Sequence, residues 1–511
     1  MDRFTRVVLA SVAVTLAFAP AASAAPNPNK VSEKLREDVT VGGIRAHQQA
    51  LQNIATMNNG TRASGTPGYE ASLAYVSRRL ERAGYRPTRQ DFSFRSFEEL
   101  APATFERTAP TPRTYTDPAE FTIMSYSGSG DVTAAVTPVD VQLPPAPTPG
   151  STSGCEAADF EGFPAGNVAL LQRGTCDFAV KAANAQAAGA SAAIVFNEGQ
   201  EGRTDTVAGT LGEDTTVTIP TIGASFAVGE ELAGLAGAEV HITTSTRVEN
   251  NTSSNLIAEL APKKAKQAGK AVLVGAHLDS VPEGPGINDN GSGTGTILEI
   301  AEEMAEDKAP RNPVRFAFWG AEEAGLVGST RYVEALTEEE GAKIGLNLNF
   351  DMLGSPNFAR FVYDGDGSAF GQVGPAGSDD IEQTFLAYFA SQGQATDPTA
   401  FDGRSDYKPF IDVGIPAGGL FSGAEGVKTA EQQARYGGVT GEAYDRCYHQ
   451  ACDSFSNVSI PGLRSLSKGA AHATAVYAAR VEPLGAAPAA SAKGKSAAAQ
   501  GATKLGDDDQ R

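Results

Sequence analysis

The chain is poor in cysteine, tryptophan, histidine and positive charge. Its 511 residues include four cysteines, one tryptophan and five histidines, and 61 acidic residues outnumber 41 basic ones, which gives a net charge of −20. Nucleic acids and anionic membrane surfaces are bound through basic patches, so neither is an expected partner. Beyond the N-terminus, no stretch approaches the roughly 20 apolar residues of a membrane span. With 41% hydrophobic residues, the chain is expected to bury a sizeable core and to form two domains.

The N-terminus has the pattern of a secretory signal peptide. Arg3 and Arg6 precede an apolar run from Val7 to Phe18, and Ala22-Ser23-Ala24 offers a cleavage site of small residues. Residues 1–24 are therefore predicted to be removed, and the mature protein is predicted to be secreted and extracellular.

An exported chain with four cysteines is expected to form disulfides. Four cysteines allow three connectivities, and the pairs closest in sequence are Cys155 with Cys176 and Cys447 with Cys452. The second pair would close a short loop around His449 and hold its imidazole in place.

Two short apolar runs, 271–276 and 314–319, end in glycine-rich turns, which is typical of buried parallel strands. In open α/β sheets, ligands bind outside the carboxyl ends of the strands. A third run, IGLNLNF, leaves Asp351 at the same kind of position. The polar side chains that can converge at this edge are His277, Asp289, Glu322, Glu323 and Asp351.

Together with His449, these residues have charges that fit two divalent cations better than one. Three carboxylate ligands contribute −3, two neutral histidines contribute nothing and two cations contribute +4, so the total is about +1, which one more carboxylate would neutralise. A single cation would leave an excess of buried negative charge, which is costly. Adjacent side chains of an extended chain point to opposite faces, so only one of Glu322 and Glu323 is expected to bind metal. The residues alone do not say which.

Five motifs in this order resemble the co-catalytic two-zinc aminopeptidases, close to the secreted bacterial leucine aminopeptidase and aminopeptidase Y group. The motifs are His277-x-Asp279, GINDNGSG at 286–293, Glu322-Glu323, Asn349-Phe350-Asp351 and Cys447-Tyr448-His449. The resemblance implies an α/β fold, with a mixed, mostly parallel sheet flanked by helices.

The resemblance also implies two zinc ions per chain. His277 and Asp351 would bind one ion, Glu323 and His449 would bind the other, and Asp289 would bridge them. Calcium modulates some relatives and is a further candidate ion, for which the sequence offers no site.

Roles in catalysis follow from the same resemblance. Glu322 would be the general base that takes a proton from the zinc-bound attacking water and passes it to the leaving amine. Tyr448 would hydrogen-bond the oxyanion, and Arg404 would contact the substrate. Met352 and Phe421 would line an apolar pocket for the first side chain.

Asp279 lies two residues after His277, so on a strand it faces the same way and can accept the second N–H of the imidazole. Structural alternatives remain for several of these residues. Asp279 could cap a turn, Tyr448 could pack beside a disulfide, and Arg404 could pair with Asp402 or Asp406.

The catalytic domain is predicted to be discontinuous, covering 25–117 and 249–484. Residues 118–248, with short strands and one Ala-rich helix, resemble a protease-associated domain, a small β-rich module that would serve as a lid, a substrate-selecting element or a stabilising element. Residues 485–511 are of low complexity and predicted to be disordered.

The sequence therefore predicts a secreted, monomeric zinc aminopeptidase that releases large apolar, leucine-like residues from peptides with a free N-terminus. A carboxypeptidase on the same fold would need several basic groups, and the motif segments supply little beyond Arg404. A one-zinc relative of the fold cyclises N-terminal glutamine. A non-catalytic binding protein should have lost ligands or the base, whereas all six positions are filled here.

Overall fold

The structure is a computed structural model, and it describes residues 27–200, 202–262, 264, 269–306 and 309–481. The predicted signal peptide, 1–24, and the predicted disordered tail, 485–511, lie outside the described residues. Within the described part of the chain, no helix is long and apolar enough to cross a membrane.

The strands alternate with helices through most of the chain. The strands are β1 Thr88–Ala109, β2 Arg113–Thr114, β3 Phe121–Ile123, β4 Gly130–Pro138, β5 Val168–Gln172, β6 Ala192–Phe196, β7 Thr221–Ala224, β8 Glu239–Leu260, β9 Ala271–His277, β10 Val314–Trp319, β11 Ile344–Phe350, β12 Phe361–Tyr363, β13 Asp397–Thr399 and β14 Ala417–Phe421. The helices are α1 Pro28–Asp38, α2 Val41–Met57, α3 Pro67–Arg82, α4 Phe178–Ala187, α5 Phe226–Gly234, α6 Gly291–Glu306, α7 Val327–Glu334, α8 Glu338–Gly341, α9 Ser378–Ser391, α10 Lys408–Asp412, α11 Ala430–Tyr436 and α12 Ile460–Ala479.

The centre of the larger domain is a sheet in the order β13-β12-β14-β11-β9-β10-β8. Strands β10, β9, β11 and β14 run parallel to one another, whereas β8 pairs antiparallel with β10 and β12 pairs antiparallel with β14. Every residue of β9 and β11 is buried, which explains their unbroken apolar runs. The predicted α/β class and the predicted mostly parallel sheet are confirmed.

Helices cover both faces of this sheet. On one face, Leu51 of α2, Ile297 of α6 and Leu466 of α12 belong to the same buried core as Val274 of β9. On the other face, the indole of Trp319 packs against Phe410 of α10 at a ring distance of 5.9 Å. The carboxyl ends of the parallel strands therefore lie at an edge that both helical layers leave open for a site.

The insertion has a small sheet of its own, in the order β4-β5-β6-β7-β3, with β4, β5, β6 and β7 parallel. The Ala-rich helix is α4, and α5 is a second helix that the sequence analysis does not predict. Two separate cores cover the two faces of the sheet, one with Ile194 and Phe196 and the other with Leu171 and Val195.

Two strands of 22 residues, β1 and β8, form a long antiparallel ribbon that belongs to both domains. Leu256 at one end of β8 packs in the core of the larger domain, and Ile242 at the other end packs in the insertion. The proposed domain boundary at residue 248 therefore falls inside a continuous strand, and the ribbon holds the insertion beside the larger domain.

Candidate metal centre and substrate cavity

The ends of β9 and β11 bring the first two predicted ligands together. His277 is the last residue of β9, and Asp351 directly follows β11. Because these strands are parallel neighbours, the two side chains meet at the same edge, with His277 Nε2 at 3.2 Å from Asp351 Oδ1. Both side chains are largely buried.

Asp289 lies between two imidazoles. Its Oδ1 is 3.2 Å from Nε2 of His277, and its Oδ2 is 3.4 Å from Nε2 of His449. The loop from β9 to α6 that carries Asp289 is held by Asp453, whose carboxylate accepts the backbone N–H groups of Asn288 at 2.8 Å and Asp289 at 2.9 Å. The two oxygens of one carboxylate thus face two different nitrogen donors, as a bridging ligand requires.

Glu322 and Glu323 follow β10, and their carboxylates face different histidines. Glu323 Oε2 is 3.0 Å from His449 Nε2, and Glu322 Oε2 is 4.0 Å from His277 Nε2. Both side chains line the same cavity, so the expectation that they point to opposite faces is wrong. The physical reason is that 320–325 form bends and turns, with Ala321 at φ 53°, rather than an extended strand.

The loop that carries His449 is closed by a disulfide between Cys447 and Cys452. The imidazole stacks on the ring of Tyr448 at 3.8 Å, and its side chain keeps an exposed fraction of 42% toward the cavity. The insertion contains the other disulfide, between Cys155 and Cys176.

The surrounding carboxylates control the protonation of both imidazoles. Burial by itself lowers the pKa of His277, but the neighbouring Asp351 and further carboxylates raise it well above its usual value. For His449, burial is again opposed, here by Glu323 and Asp289, and the pKa is about 11. The cluster holds more negative charge than its surroundings neutralise, so it favours cations.

The donor set fits divalent metal ions. Donor atoms of His277, Asp289 and Glu323 lie within 4.8 Å of one another, and so do those of His277, Glu322 and Asp351. Oε1 of Glu323 is buried and has no hydrogen-bond partner, which is costly unless this oxygen binds a cation. Imidazole nitrogens and carboxylate oxygens are ligands that zinc takes in proteins.

Asp279 lies beside His277, but not at hydrogen-bond distance. Its Oδ1 is 3.7 Å from Nδ1 of His277, and the same oxygen accepts the backbone N–H of Glu322 at 3.3 Å. Strand β9 ends at His277, so Asp279 lies in the loop that follows rather than on the strand. The carboxylate therefore contacts both the His277 side and the Glu322 turn.

Arg404 and Tyr448 form a polar pair at the cavity wall. Nη2 of Arg404 donates to the Tyr448 hydroxyl at 3.2 Å, and its Nη1 pairs with Glu425 at 2.6 Å. The partner of the guanidinium is therefore Glu425, rather than Asp402 or Asp406 as in the structural alternative.

The cavity has a volume of about 600 Å³, with the acidic residues at one part of its wall and an apolar recess at another. The rings of Phe361 and Phe421 stack at 5.9 Å, and Tyr444 meets Phe361 edge-on at 5.3 Å. Met352 also lines the cavity. Phe361 and Tyr444 line it too, although no local feature of the sequence predicts their place here.

Two residues that the sequence analysis misses support the metal centre. The Ser405 hydroxyl donates to Asp351 Oδ2 at 2.7 Å. Arg62 is fully buried, and its guanidinium donates to the carbonyl oxygens of Leu278, Pro285 at 2.8 Å and Gly286 at 2.6 Å. Ser405 is adjacent to the predicted Arg404, but the sequence around Arg62 has no feature that indicates its contacts.

Comparisons with known proteins identify the family of the chain. The family model for peptidase family M28 matches residues 255–474, and the model for the PA domain matches 133–232. An aminopeptidase of Pseudomonas aeruginosa is 47% identical over 461 residues, which cover 88% of this chain and 84% of that protein. Leucine aminopeptidase 2 of Arthroderma otae is 39% identical over 475 residues, 92% of this chain and 89% of that protein.

Two solved structures share the fold across most of their length. The aminopeptidase from Aneurinibacillus sp. strain AM-1 superposes with a TM-score of 0.68 at 25% identity and covers 89% of this chain and 97% of its own. A zinc aminopeptidase from Bacillus subtilis gives a TM-score of 0.56 at 25% identity, with 86% and 96% covered.

Proposed function

This chain is a zinc aminopeptidase of peptidase family M28 with a protease-associated domain, and we propose that it is secreted and releases large apolar residues from the N-termini of peptides. The observation that carries the catalytic part of the proposal is the position of Asp289, whose two carboxylate oxygens face His277 and His449. That arrangement suits two metal ions that share one ligand.

The proposed ligands form two groups around Asp289. His277 and Asp351, 3.2 Å apart, would hold one zinc ion, and Glu323 and His449, 3.0 Å apart, would hold the other. When bound, the two ions would polarise the scissile carbonyl and lower the pKa of an attacking water toward about 7. All five side chains come from strand ends or from loops fixed by hydrogen bonds or a disulfide.

Glu322 is the proposed general base. Its carboxylate is buried in the cavity wall, and its backbone N–H is held by Asp279. From this position Glu322 can accept a proton from the attacking water and donate it to the leaving amine. Asp279 would keep both the Glu322 turn and the His277 ring in position.

Tyr448 is proposed to hydrogen-bond the oxyanion of the tetrahedral intermediate, and Arg404 is proposed to contact the substrate near the scissile residue. Because Arg404 donates to the oxygen of Tyr448, the hydroxyl hydrogen of Tyr448 is free to donate to the substrate. The pairing of Arg404 with Glu425 holds this arrangement at the cavity wall.

The shape and charge of the cavity support cleavage at the N-terminus. Met352, Phe361 and Phe421 offer an apolar recess for a leucine-like side chain, and the carboxylates of Glu322 and Asp351 can attract a free α-amine. Apart from histidine, Arg404 has the only positively charged side chain among the described residues that line this cavity. Its guanidinium already pairs with Glu425. A carboxypeptidase would need free basic groups, so this alternative is disfavoured.

The remaining assignments are part of the same proposal. Residues 1–24 would direct export, and disulfide bonds such as those of this chain persist outside the cytosol. The proposed domains are 25–117 with 249–484 for catalysis and 118–248 for the insertion, in a monomer.

The test uses purified mature protein and two substrates, leucine p-nitroanilide and its N-acetylated form. We expect cleavage of the free-amine substrate alone, and loss of that cleavage with a chelator and in Glu322→Ala. Glu338→Ala, which changes an exposed glutamate of α8, is the matched control and should behave as the wild type. Zinc bound at two ions per chain with no cleavage of either substrate would contradict the leucine preference.

A further inference from the structure

A second cavity, of about 280 Å³, lies between the insertion, the β1–β8 ribbon and the metal cavity. Its walls combine Phe94 and Phe97 of β1 with Tyr126 and Thr210 of the insertion. The residues that line both this cavity and the metal cavity are Ser125, Pro282 and Glu323. The two cavities are therefore adjacent across a proposed zinc ligand.

The position of this cavity relative to the apolar recess indicates on which side of the scissile bond its occupant lies. The apolar recess with Met352, Phe361 and Phe421 belongs to the metal cavity and contributes no residue to the second one. A peptide whose first side chain enters that recess, with its scissile bond beside Glu323, continues past Glu323 toward the insertion. Resting on the proposed function, we infer that the second cavity binds the residue immediately after the scissile bond.

The chemistry of the walls selects the class of that residue. The large side chains of the wall are the aromatic rings of Phe94, Phe97 and Tyr126, and the ring of Phe97 lies 5.7 Å from that of Tyr126. Among the described residues that line the cavity, the charged ones are Asp279, Glu213 and Glu323, and none is basic. The cavity therefore favours an apolar or aromatic side chain and disfavours the free carboxylate of a dipeptide.

The volume is consistent with this assignment. Sites that enclose a whole small molecule typically measure about 300–1,000 Å³. At about 280 Å³ the second cavity is at the lower end of that range, which leaves room for one large side chain.

Fixed contacts hold the insertion at this wall. The Tyr126 hydroxyl lies 2.9 Å from the carbonyl oxygen of Arg95 and 3.2 Å from that of Ala324, which directly follows Glu323. Glu213 pairs with Arg331 of α7 at 2.7 Å. The insertion is thus tied to the turn that carries Glu322 and Glu323, so it presents a preformed surface to the substrate.

The experiment compares kcat/KM of the zinc-loaded full enzyme on leucinamide, Leu-Ala-amide, Leu-Phe-amide and the free dipeptide Leu-Phe. We expect Leu-Phe-amide to exceed Leu-Ala-amide by about tenfold or more, since an apolar pocket discriminates by about 10–200-fold per missing group. Free Leu-Phe should be cleaved about tenfold less efficiently than Leu-Phe-amide, because its carboxylate would lie among acids.

Two variants alter the second cavity from opposite walls. Phe97→Ala enlarges it from β1, and Thr210→Trp fills it from the insertion. Each should reduce the ratio of Leu-Phe-amide to leucinamide hydrolysis by about tenfold. Phe92→Ala changes a neighbouring aromatic residue of β1 that does not line the cavity, and it should keep the wild-type ratio.

The failures of the two proposals are distinguishable. An enzyme that cleaves leucinamide but shows the same substrate ratios in the wild type and both variants would overturn the inference alone. An enzyme with two zinc ions that cleaves none of the four substrates would contradict the leucine aminopeptidase activity, and the inference would fall with it. An equal loss on all four substrates in both variants would also overturn the assigned subsite, because the effect would not depend on the residue after the scissile bond.

Discussion

The Ser405 hydroxyl donates a 2.7 Å hydrogen bond to Oδ2 of Asp351, while Oδ1 of that carboxylate faces His277 at 3.2 Å. The amide of Asn349 donates to the same hydroxyl at 2.7 Å, so the proton of Ser405 is directed to Asp351. The carboxylate is therefore fixed in rotation by a residue that is not itself a proposed ligand.

Replacing Ser405 should weaken metal binding. Hydrogen-bond partners of metal ligands typically contribute 10–100-fold to metal affinity, so Ser405→Ala is expected to lower zinc affinity by about tenfold or more. Zinc competition with a chromogenic chelator measures the affinity. Ser405→Thr keeps the hydroxyl and serves as the control, and an unchanged affinity in Ser405→Ala would show that Asp351 needs no such support.

Replacing Arg62 should destabilise the loop that carries Asp289. The guanidinium satisfies three backbone carbonyls in a buried position, and each buried carbonyl left unpaired costs about 1–3 kcal/mol. We expect Arg62→Met to lower the free energy of unfolding by about 3 kcal/mol or more and to reduce zinc occupancy.

Chemical denaturation of the zinc-loaded protein gives the unfolding free energy of this variant. Arg86→Met, at an exposed position after α3, is the matched control and should stay within about 0.5 kcal/mol of the wild type. A similar small effect for Arg62→Met would mean that the loop keeps its shape without the guanidinium.

The sequence predicts those parts of the fold and site that produce a recognisable pattern among residues close together in the chain. The runs that become β9, β10 and β11 are apolar because both faces of the sheet are covered, and polar residues at their ends mark the site. The β1–β8 ribbon produces no apolar run of this kind, because many of its residues are exposed and polar. Arg62 is missed because it binds backbone carbonyls 216 to 224 residues away, which any sequence could supply.

The adjacent glutamates show where a local rule fails. The alternation rule applies to extended chain, and the turn after Trp319 brings Glu322 and Glu323 to one cavity. Nothing in the two residues themselves distinguishes a turn from a strand. Their assignment as base and ligand comes from the family resemblance and remains a proposal, which the distances to His277 and His449 support.

Removing the two disulfides should have different effects. The bond between Cys447 and Cys452 closes the loop that holds His449, so replacing both cysteines by serine is expected to lower zinc content toward one ion per chain and to reduce activity at least tenfold. The bond between Cys155 and Cys176 closes a longer loop in the insertion, and its removal should cost about 3 kcal/mol of stability.

The second pair is the matched control for the first. Zinc content by atomic spectroscopy and activity on leucine p-nitroanilide are measured for both double variants. The Cys155/Cys176 variant should keep two zinc ions while folded. Equal zinc content in both variants would show that the disulfide does not position His449.

His472 should make the protein less stable in mild acid. It lies buried in α12, its Nδ1 is 2.8 Å from the Ser32 hydroxyl, and its ring stacks on Tyr388 at 4.5 Å. Burial, with a further contribution from the nearby Arg36, lowers the pKa of His472 to about 4. In the unfolded chain the pKa of a histidine is about 6.5.

The sign of the effect follows from these two values. Between pH 6.5 and 4 the unfolded chain binds the proton and the folded protein does not, so acid favours unfolding in that window. At pH 5 this linkage should remove about 2 kcal/mol of the free energy of unfolding, and above pH 6.5 it should remove none. His472→Gln, which does not titrate, should therefore gain about 2 kcal/mol relative to the wild type when the pH falls from 7.5 to 5.

Because acid also releases metal in both proteins, the measured quantity is the difference between the two unfolding curves at each pH. A difference that stays constant from pH 7.5 to 5 would mean that His472 has the same pKa in the folded and unfolded chains.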